Sequence, residues 1–247
     1  MIDTNELLNT IKSKGYWKVL VRPNKFESNL ISSLDVAKKV IDENKVDLRG
    51  WDYPHVDRDT SAASEDSIHS KCSSERGSEY EYWRYFLSGQ FVHYFGTRED
   101  WLIEEEDAEA IRQRFHFGVE EGTEPYRFLD VLSTLYRLNE IFLFTSRLAQ
   151  AGYLGDSLHL EIELIGVKDR TLFFWSRDRH LRSIYTCDFP SDKITFIHDI
   201  TKADIISDHA RFALEDALKL FSSFNWRTAS KEVFQEDQKK FLERRLS

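Results

Sequence analysis

YEYWRYFLSGQFVHYFGTREDW, residues Tyr80 to Trp101, decides the fold: nine of its twenty-two residues are Tyr, Phe or Trp. Two runs with a two-residue period flank Ser88-Gly89-Gln90, the pattern of a β-hairpin with glycine at its turn. Tyr82 and Phe86 fall on one face of the first run, and Trp83, Tyr85 and Leu87 on the other. A strand apolar on both faces is covered on both, so this hairpin is expected inside its sheet rather than at an edge.

Upstream, Asp3 with Glu6 caps a short helix carrying Leu7, Leu8 and Ile11, with Gly15 as its stop. Tyr16 to Val21 reads as a strand ended by Arg22-Pro23. Ser32 followed by Asp35 marks a second helix with Leu34, Ala37 and Ile41 at helical spacing. Val46 to Tyr53 reads as a further strand, with Gly50 as a bulge and Pro54 ending its pairing. Arg58 to Ser78 breaks the composition: seven of its twenty-one residues are Ser and no aromatic occurs. With no periodic apolar face to dock, it is read as a mobile polar loop.

Downstream, Glu104 to Arg114 reads as a helix, acidic at its start and basic at its end. A long helix is expected from Thr123-Glu124-Pro125 to Ala151, with Gly152 as C-cap. Its wide apolar surface makes it a central element. Leu158, Leu160, Ile162 and Leu164 alternate with His159, Glu161 and Glu163, the mark of a half-buried antiparallel strand. Thr171 to Ser176 is expected to answer it across a turn, followed by strands at Ser183 to Asp188 and Ile194 to Asp199. A last firm helix starts at Ser207, and the tail from Lys231 is helical. The class is therefore α+β, mostly antiparallel hairpins and meanders packed with helices. Two similar-sized halves, 1–122 and 123–247, are expected to share one core.

Bulk composition narrows the function. The chain has 247 residues, 41% hydrophobic and 14% aromatic, enough for a sizeable core without staples. Asp and Glu (43) outnumber Lys and Arg (34), a net charge of −9, so binding of duplex nucleic acid through a global field is disfavoured. Two cysteines, Cys72 and Cys187, define no disulfide framework and suit a reducing compartment. No uncharged apolar run approaches a membrane span and no secretory signal opens the chain, so a cytoplasmic protein without membrane contact is expected.

Four groups of residues bear on chemistry. His159, Glu161 and Glu163 share one strand face, where alternate residues lie about 7 Å apart, within reach of a shared metal. A nuclease of the restriction type needs in addition a lysine two residues after its second carboxylate. Glu161-Ile162-Glu163 lacks it, and strand alternation alone already places polar residues there. His55, Asp57 and Asp59, with His69 and Cys72, offer too few paired ligands for a structural zinc. Lys168, Arg170, Arg177, Arg179, His180 and Arg182 surround Phe173, Phe174 and Trp175, the mixture that single strands and RNA exploit by stacking and phosphate contact. Asp169 and Asp178 interrupt that cluster. Arg49 and Trp51, with Arg84, are candidates for a pocket in which an arginine reads an anion between aromatic walls. The competing reading pairs each arginine with Asp52 or Glu81 inside the core. No nucleotide-binding glycine loop and no nucleophile elbow occurs, and no cofactor or metal is expected.

The phrases LRGWDYPH (Leu48 to His55), YWRYFLSGQFVHYF (Tyr82 to Phe95) and VFQEDQKKFLERRL (Val233 to Leu246) resemble a family of bacterial proteins of similar length and unassigned activity. The resemblance implies a bacterial cytoplasmic protein of the kind encoded in accessory or phage-defence regions, and it implies no catalytic residue. The expected function is a non-catalytic binding module for a protein partner, or for a second copy of itself. A metal-dependent hydrolase using His159, Glu161 and Glu163 is one alternative, and a nucleic-acid binder using the 168–182 cluster is another.

Overall fold

A computed structural model describes residues 3–56, 61–73, 79–102, 127–176 and 178–245. The chain is α+β. Strands β1 (Tyr16–Pro23), β2 (Ser61–Ser64), β3 (Ser67–Ser73), β4 (Tyr80–Phe86), β5 (Phe91–Gly96), β7 (Ser157–Ile165) and β9 (Lys193–Thr201) form one antiparallel sheet. Its order is β2-β3-β4-β5-β1-β7-β9. β6 (Phe128–Asp130) and β8 (Thr171–Phe173) pair in parallel as a separate two-stranded sheet. The described helices are α1 (Thr4–Lys12), α2 (Leu34–Asn44), α3 (Glu99–Leu102), α4 (Val131–Gln150), α5 (Lys202–Ser223) and α6 (Lys231–Leu242).

The aromatic hairpin is β4–β5, and it lies in the sheet interior, as its two-sided pattern requires. Gly89 turns it with φ +81°, a left-handed conformation that favours glycine. Tyr82, on the outer face, packs with Leu7 and Ile11 of α1. Trp83, Tyr85, Phe91 and Phe95 face the main core. There Phe91 meets Phe144 of α4 at a centroid distance of 4.9 Å.

α4 is the central helix: thirteen of its twenty residues are buried, so it has neighbours on every side. The sheet lies against it through Phe144. α5 stacks Phe212 on Phe142, and α6 stacks Phe241 on Tyr136 at 4.4 Å. Asp130 caps α4, its carboxylate accepting from the amides of Ser133 and Trp175, both at 2.7 Å.

Several expectations are corrected. Within 58–78, read as a mobile loop, Ser61–Ser64 and Ser67–Ser73 are strands, because Ile68, Ser70 and Cys72 alternate inward and β3 pairs in full register with β4. Val46 and Tyr53 form only an isolated bridge closing a turn, in which Gly50 has φ +83°. Thr171–Phe173 does not return onto β7 but pairs with β6, and 183–188 contributes only the bridge Thr171↔Thr186. The cap of α2 is Ser33, α4 begins at Val131 rather than near Thr123, and α5 begins at Lys202 with Thr201 as its cap. The helix expected at Glu104 to Arg114 and the junction near Gly122 lie outside the described residues. The halves are joined by one sheet, since β1 pairs with β5 on one side and β7 on the other.

Candidate functional site

The metal-type trio sits on the outer face of β7. His159 Nδ1 meets Asp199 at 2.9 Å. Lys18 Nζ, from β1, donates to Glu161 at 3.0 Å and to Glu163 at 2.7 Å, and Lys193 donates to the other oxygen of Glu163. Burial raises the Glu163 pKa, but its hydrogen bonds to both lysines outweigh that and hold it below the usual range. The ammonium missing from the Glu-x-Glu motif thus comes from the neighbouring strand. It occupies the space between the carboxylates where a divalent ion would have to bind. Among the described residues no group of three or more His, Cys, Asp or Glu side chains could hold a metal.

The basic cluster is dispersed. Arg170 is fully buried, donating from Nη1 and Nη2 to Asp100 at 2.8 and 2.6 Å, from Nη1 to the carbonyl of Phe128 and from Nε to that of Gly166. It ties α3, β6 and the turn after β7 together, so it is corrected from contact residue to internal strut. Arg179 is engaged by Asp237 of α6 through both terminal nitrogens. Lys168 and Arg182 are exposed, and Arg177 lies outside the described residues. A phosphate-tracking stripe therefore loses two of its members. The tail is helical as expected, and Phe241 packs inside on Tyr136. His69 and Cys72, three apart on β3, take opposite faces, which removes them as a ligand pair.

Arg49 and Arg84 do not converge. Arg84 lies on the outer face of β4, donating to Ser67 and Ser64 at 2.9 and 2.8 Å over the ring of Phe86. Arg49 and Trp51, on the turn closed by Val46 and Tyr53, reach the inner side. The guanidinium of Arg49 grips Glu140 of α4 through Nε and Nη2 at 2.8 and 2.9 Å, and Glu140 is fully buried. Arg49 and Trp51 line a cleft with Trp17, Phe95, Thr97, Arg98, Glu99, Leu129, Ser133, Thr134 and Arg137.

Arg137 is the residue that the sequence reading missed. It lies over the rings of Phe95 and Tyr53, with Nη1 3.2 Å from Glu140. Burial pulls its pKa down, but Glu140, Glu81 and Glu79 more than restore it. Behind it sit Glu81 and His93, both on the core-facing side of β4 and β5 and 3.8 Å apart. Burial raises Glu81 to about 7 and pushes His93 well below the usual imidazole range. Glu99 is raised to about 7 by burial and by the charge of Asp130. Near neutrality Glu81 and Glu99 are each about half charged, so the guanidiniums of Arg49, Arg98 and Arg137 are roughly balanced by the acids around the cleft, with Glu140 shared by two of them.

Trp51 stacks on His55 at 3.9 Å, and His55 Nδ1 meets Asp52 at 2.7 Å. Burial would lower the His55 pKa, but its bonds to Asp52 and to Cys72 raise it to about 10. The imidazole is held by Asp52, and the Cys72 thiol beside it is buried. Three polar atoms of the cleft and its floor have no hydrogen-bond partner among the described residues: Trp51 Nε1, Thr134 Oγ1 and Glu81 Oε1. Compared with known proteins, the chain matches no family model, no curated protein and no solved structure.

Proposed function

We propose that this chain is a non-catalytic recognition module that grips an acidic side chain or C-terminal carboxylate of a protein partner in the cleft beneath Trp51. One observation carries the reading: Trp51 Nε1 and Thr134 Oγ1 line one concave site beside Arg137, both buried and both without a hydrogen bond among the described residues. An unmet buried polar group costs roughly 1–3 kcal/mol, so the two together favour an occupant that brings acceptor oxygens. A carboxylate fits that demand, and the guanidiniums of Arg49, Arg98 and Arg137 stand around the cleft to meet it.

Size argues for a headgroup. The cleft holds about 100 Å³, well below the roughly 300–1,000 Å³ of sites that enclose a whole small molecule. A tip presented by a partner's surface fits where a free cofactor does not. Among the described residues that line it there is no cysteine or histidine, and the Glu140 carboxylate beside it is clamped by Arg49.

The test is direct titration. Succinate, a glutamate-rich peptide and inorganic phosphate are added to the full chain and followed by calorimetry and thermal shift. The peptide is expected to raise the melting temperature. Thr134→Val and Trp51→Phe, which leave the cleft's charges and walls in place, are expected to weaken it about tenfold each, as loss of one hydrogen bond to a charged group implies. Equal affinity in wild type and both variants, or no response to any carboxylate, would overturn the proposal.

A further inference from the structure

The two edges of the seven-stranded sheet are built differently. β2 is four residues long, the short edge by which natural sheets avoid unwanted pairing. β9 is nine residues long, pairs with β7 in unbroken register, and has no strand on its other side among the described residues. It carries no bulge and no proline, and its centre, Thr195-Phe196-Ile197, has no charge. Ile197 stands 61% exposed on the outer face, and Phe189 beside the edge is 47% exposed. Such an edge leaves alternate backbone amides and carbonyls open to a further strand.

In β9, KITFIHDIT, the isoleucines are symmetric about Ile197, with Ile194 and Ile200 three residues to either side. Antiparallel pairing of two copies about that residue sets Ile197 against Ile197. On the outer face it sets Thr195 opposite Asp199 and Lys193 opposite Thr201, with Lys193 diagonal to the partner's acid. On the inner face it sets Phe196 opposite His198 and Ile194 opposite Ile200. Every apolar residue thus meets an apolar or aromatic one, hydroxyls meet a charge, and no like charges oppose each other. A groove of about 380 Å³ along this edge, bounded by Phe189, Phe196 and Lys219 of α5, lies open to the incoming copy's inner-face side chains.

We infer that β9 is a homodimerisation edge: two copies of this chain join antiparallel about Ile197 and continue one sheet through both. The contact is isologous, so it closes at two copies and buries both exposed edges at once. Its chemistry is strand addition, with backbone hydrogen bonds giving affinity and Ile197, Phe196 and Ile194 setting register. It does not use the cleft beneath Trp51, so the failure of either proposal leaves the other standing.

Sedimentation equilibrium of the full chain tests it, the expected species being twice 29.2 kDa. Ile197→Lys is expected to give monomer with an unchanged circular dichroism spectrum, since the side chain is largely exposed and touches no core. Ile197→Cys reads the register: at the two-fold it lies opposite its own copy, and mild oxidation is expected to yield a covalent dimer within minutes. The thiol Asp199→Cys, opposite Thr195 in this register, is expected not to cross-link. Cys72 and Cys187 are buried and do not compete. A wild-type monomer at all concentrations, a dimer that survives Ile197→Lys, or equal cross-linking of both thiols would overturn the inference. Recovery of monomer bound to an extended peptide of another protein along β9 would overturn it too, by showing a different occupant.

Discussion

Glu81 shows how one residue couples burial to function. It lies on the core-facing side of β4, 2% exposed, with Oε1 unbonded among the described residues and Oε2 accepting only from the amide of His55 at 3.2 Å. Burial raises it to about 7, and Glu99 likewise. A carboxyl whose pKa is raised on folding contributes stability that is complete below its unfolded value and is lost as pH rises through the folded one. The loss therefore falls between about pH 4.5 and 7. Asp52, lowered to about 2 because its bonds to His55 and Lys45 outweigh burial, loses its contribution only in strong acid and does not distort this window. At about 1.4 kcal/mol per pH unit, Glu81 removes on the order of 3 kcal/mol across the window. Glu81→Gln keeps the shape and removes the titration. It is expected to change stability at pH 5 little and to raise the melting temperature at pH 8 by about 6–12 °C, given roughly 2–4 °C per kcal/mol at this chain length. Parallel melting-temperature profiles against pH for the two proteins would refute the assignment. A signal for Glu81 and His93 did exist in the sequence. In Glu81-x-Trp83-x-Tyr85 and Phe91-x-His93-x-Phe95 both polar residues share the parity of the core aromatics. Arg137 and Glu140 had no such signal, because α4 is surrounded and offers no polar face against which two charges stand out.

At the scale of elements, local patterns were legible and long-range pairings were not. The β4–β5 hairpin, the α1 cap at Asp3, the Gly152 stop of α4 and the alternation of β7 all rest on residues within one or two turns of each other, and all stand where their spacing placed them. β2 and β3 escaped because serine has little apolar signature, and their order comes from the β4 ladder. The β6–β8 pair joins residues more than forty apart through three positions, and its glue is Arg170, which no periodicity announces. Gly15 reveals that glue from the opposite side. Its amide donates to Asp100 Oδ2 at 2.8 Å, and a Cβ there would lie 2.7 Å from the same oxygen while overlapping the Arg170 guanidinium. Neither neighbour can retreat, since each is held by the other. Gly15→Ala is therefore expected to cost about 1–3 kcal/mol, the range for overpacking a filled site. Gly152→Ala meets open space and should lose only about 1 kcal/mol, from a left-handed backbone that alanine tolerates poorly. Denaturant midpoints of the two variants decide it, and equal losses would mean the strut is slack.

At the scale of the molecule, the two halves read from the sequence are halves of the chain but not of the fold. β1 lies between β5 and β7, so the β1–β7 ladder crosses the expected boundary. The inner face of the N-terminal strands, with Trp83, Tyr85, Phe91 and Phe95, belongs to the same buried cluster as Leu135, Phe142 and Phe144 of α4. The cleft is built the same way: Arg49, Trp51 and Phe95 come from one half, and Thr134 and Arg137 from the other. Cutting near residue 122 would bare β1 as an open edge and expose the aromatic face of β4 and β5. The piece beyond it would keep α4 without the sheet it covers. Each fragment would then expose more apolar surface than its remaining contacts can offset. The full chain is accordingly expected to melt in one calorimetric transition whose van't Hoff and calorimetric enthalpies agree. Residues 1–122 and 123–247 made separately are expected to lack near-ultraviolet circular dichroism, and to regain it, together with carboxylate binding, only when mixed. Two resolved transitions, or one fragment with fixed aromatic signals of its own, would show that the core is divisible after all.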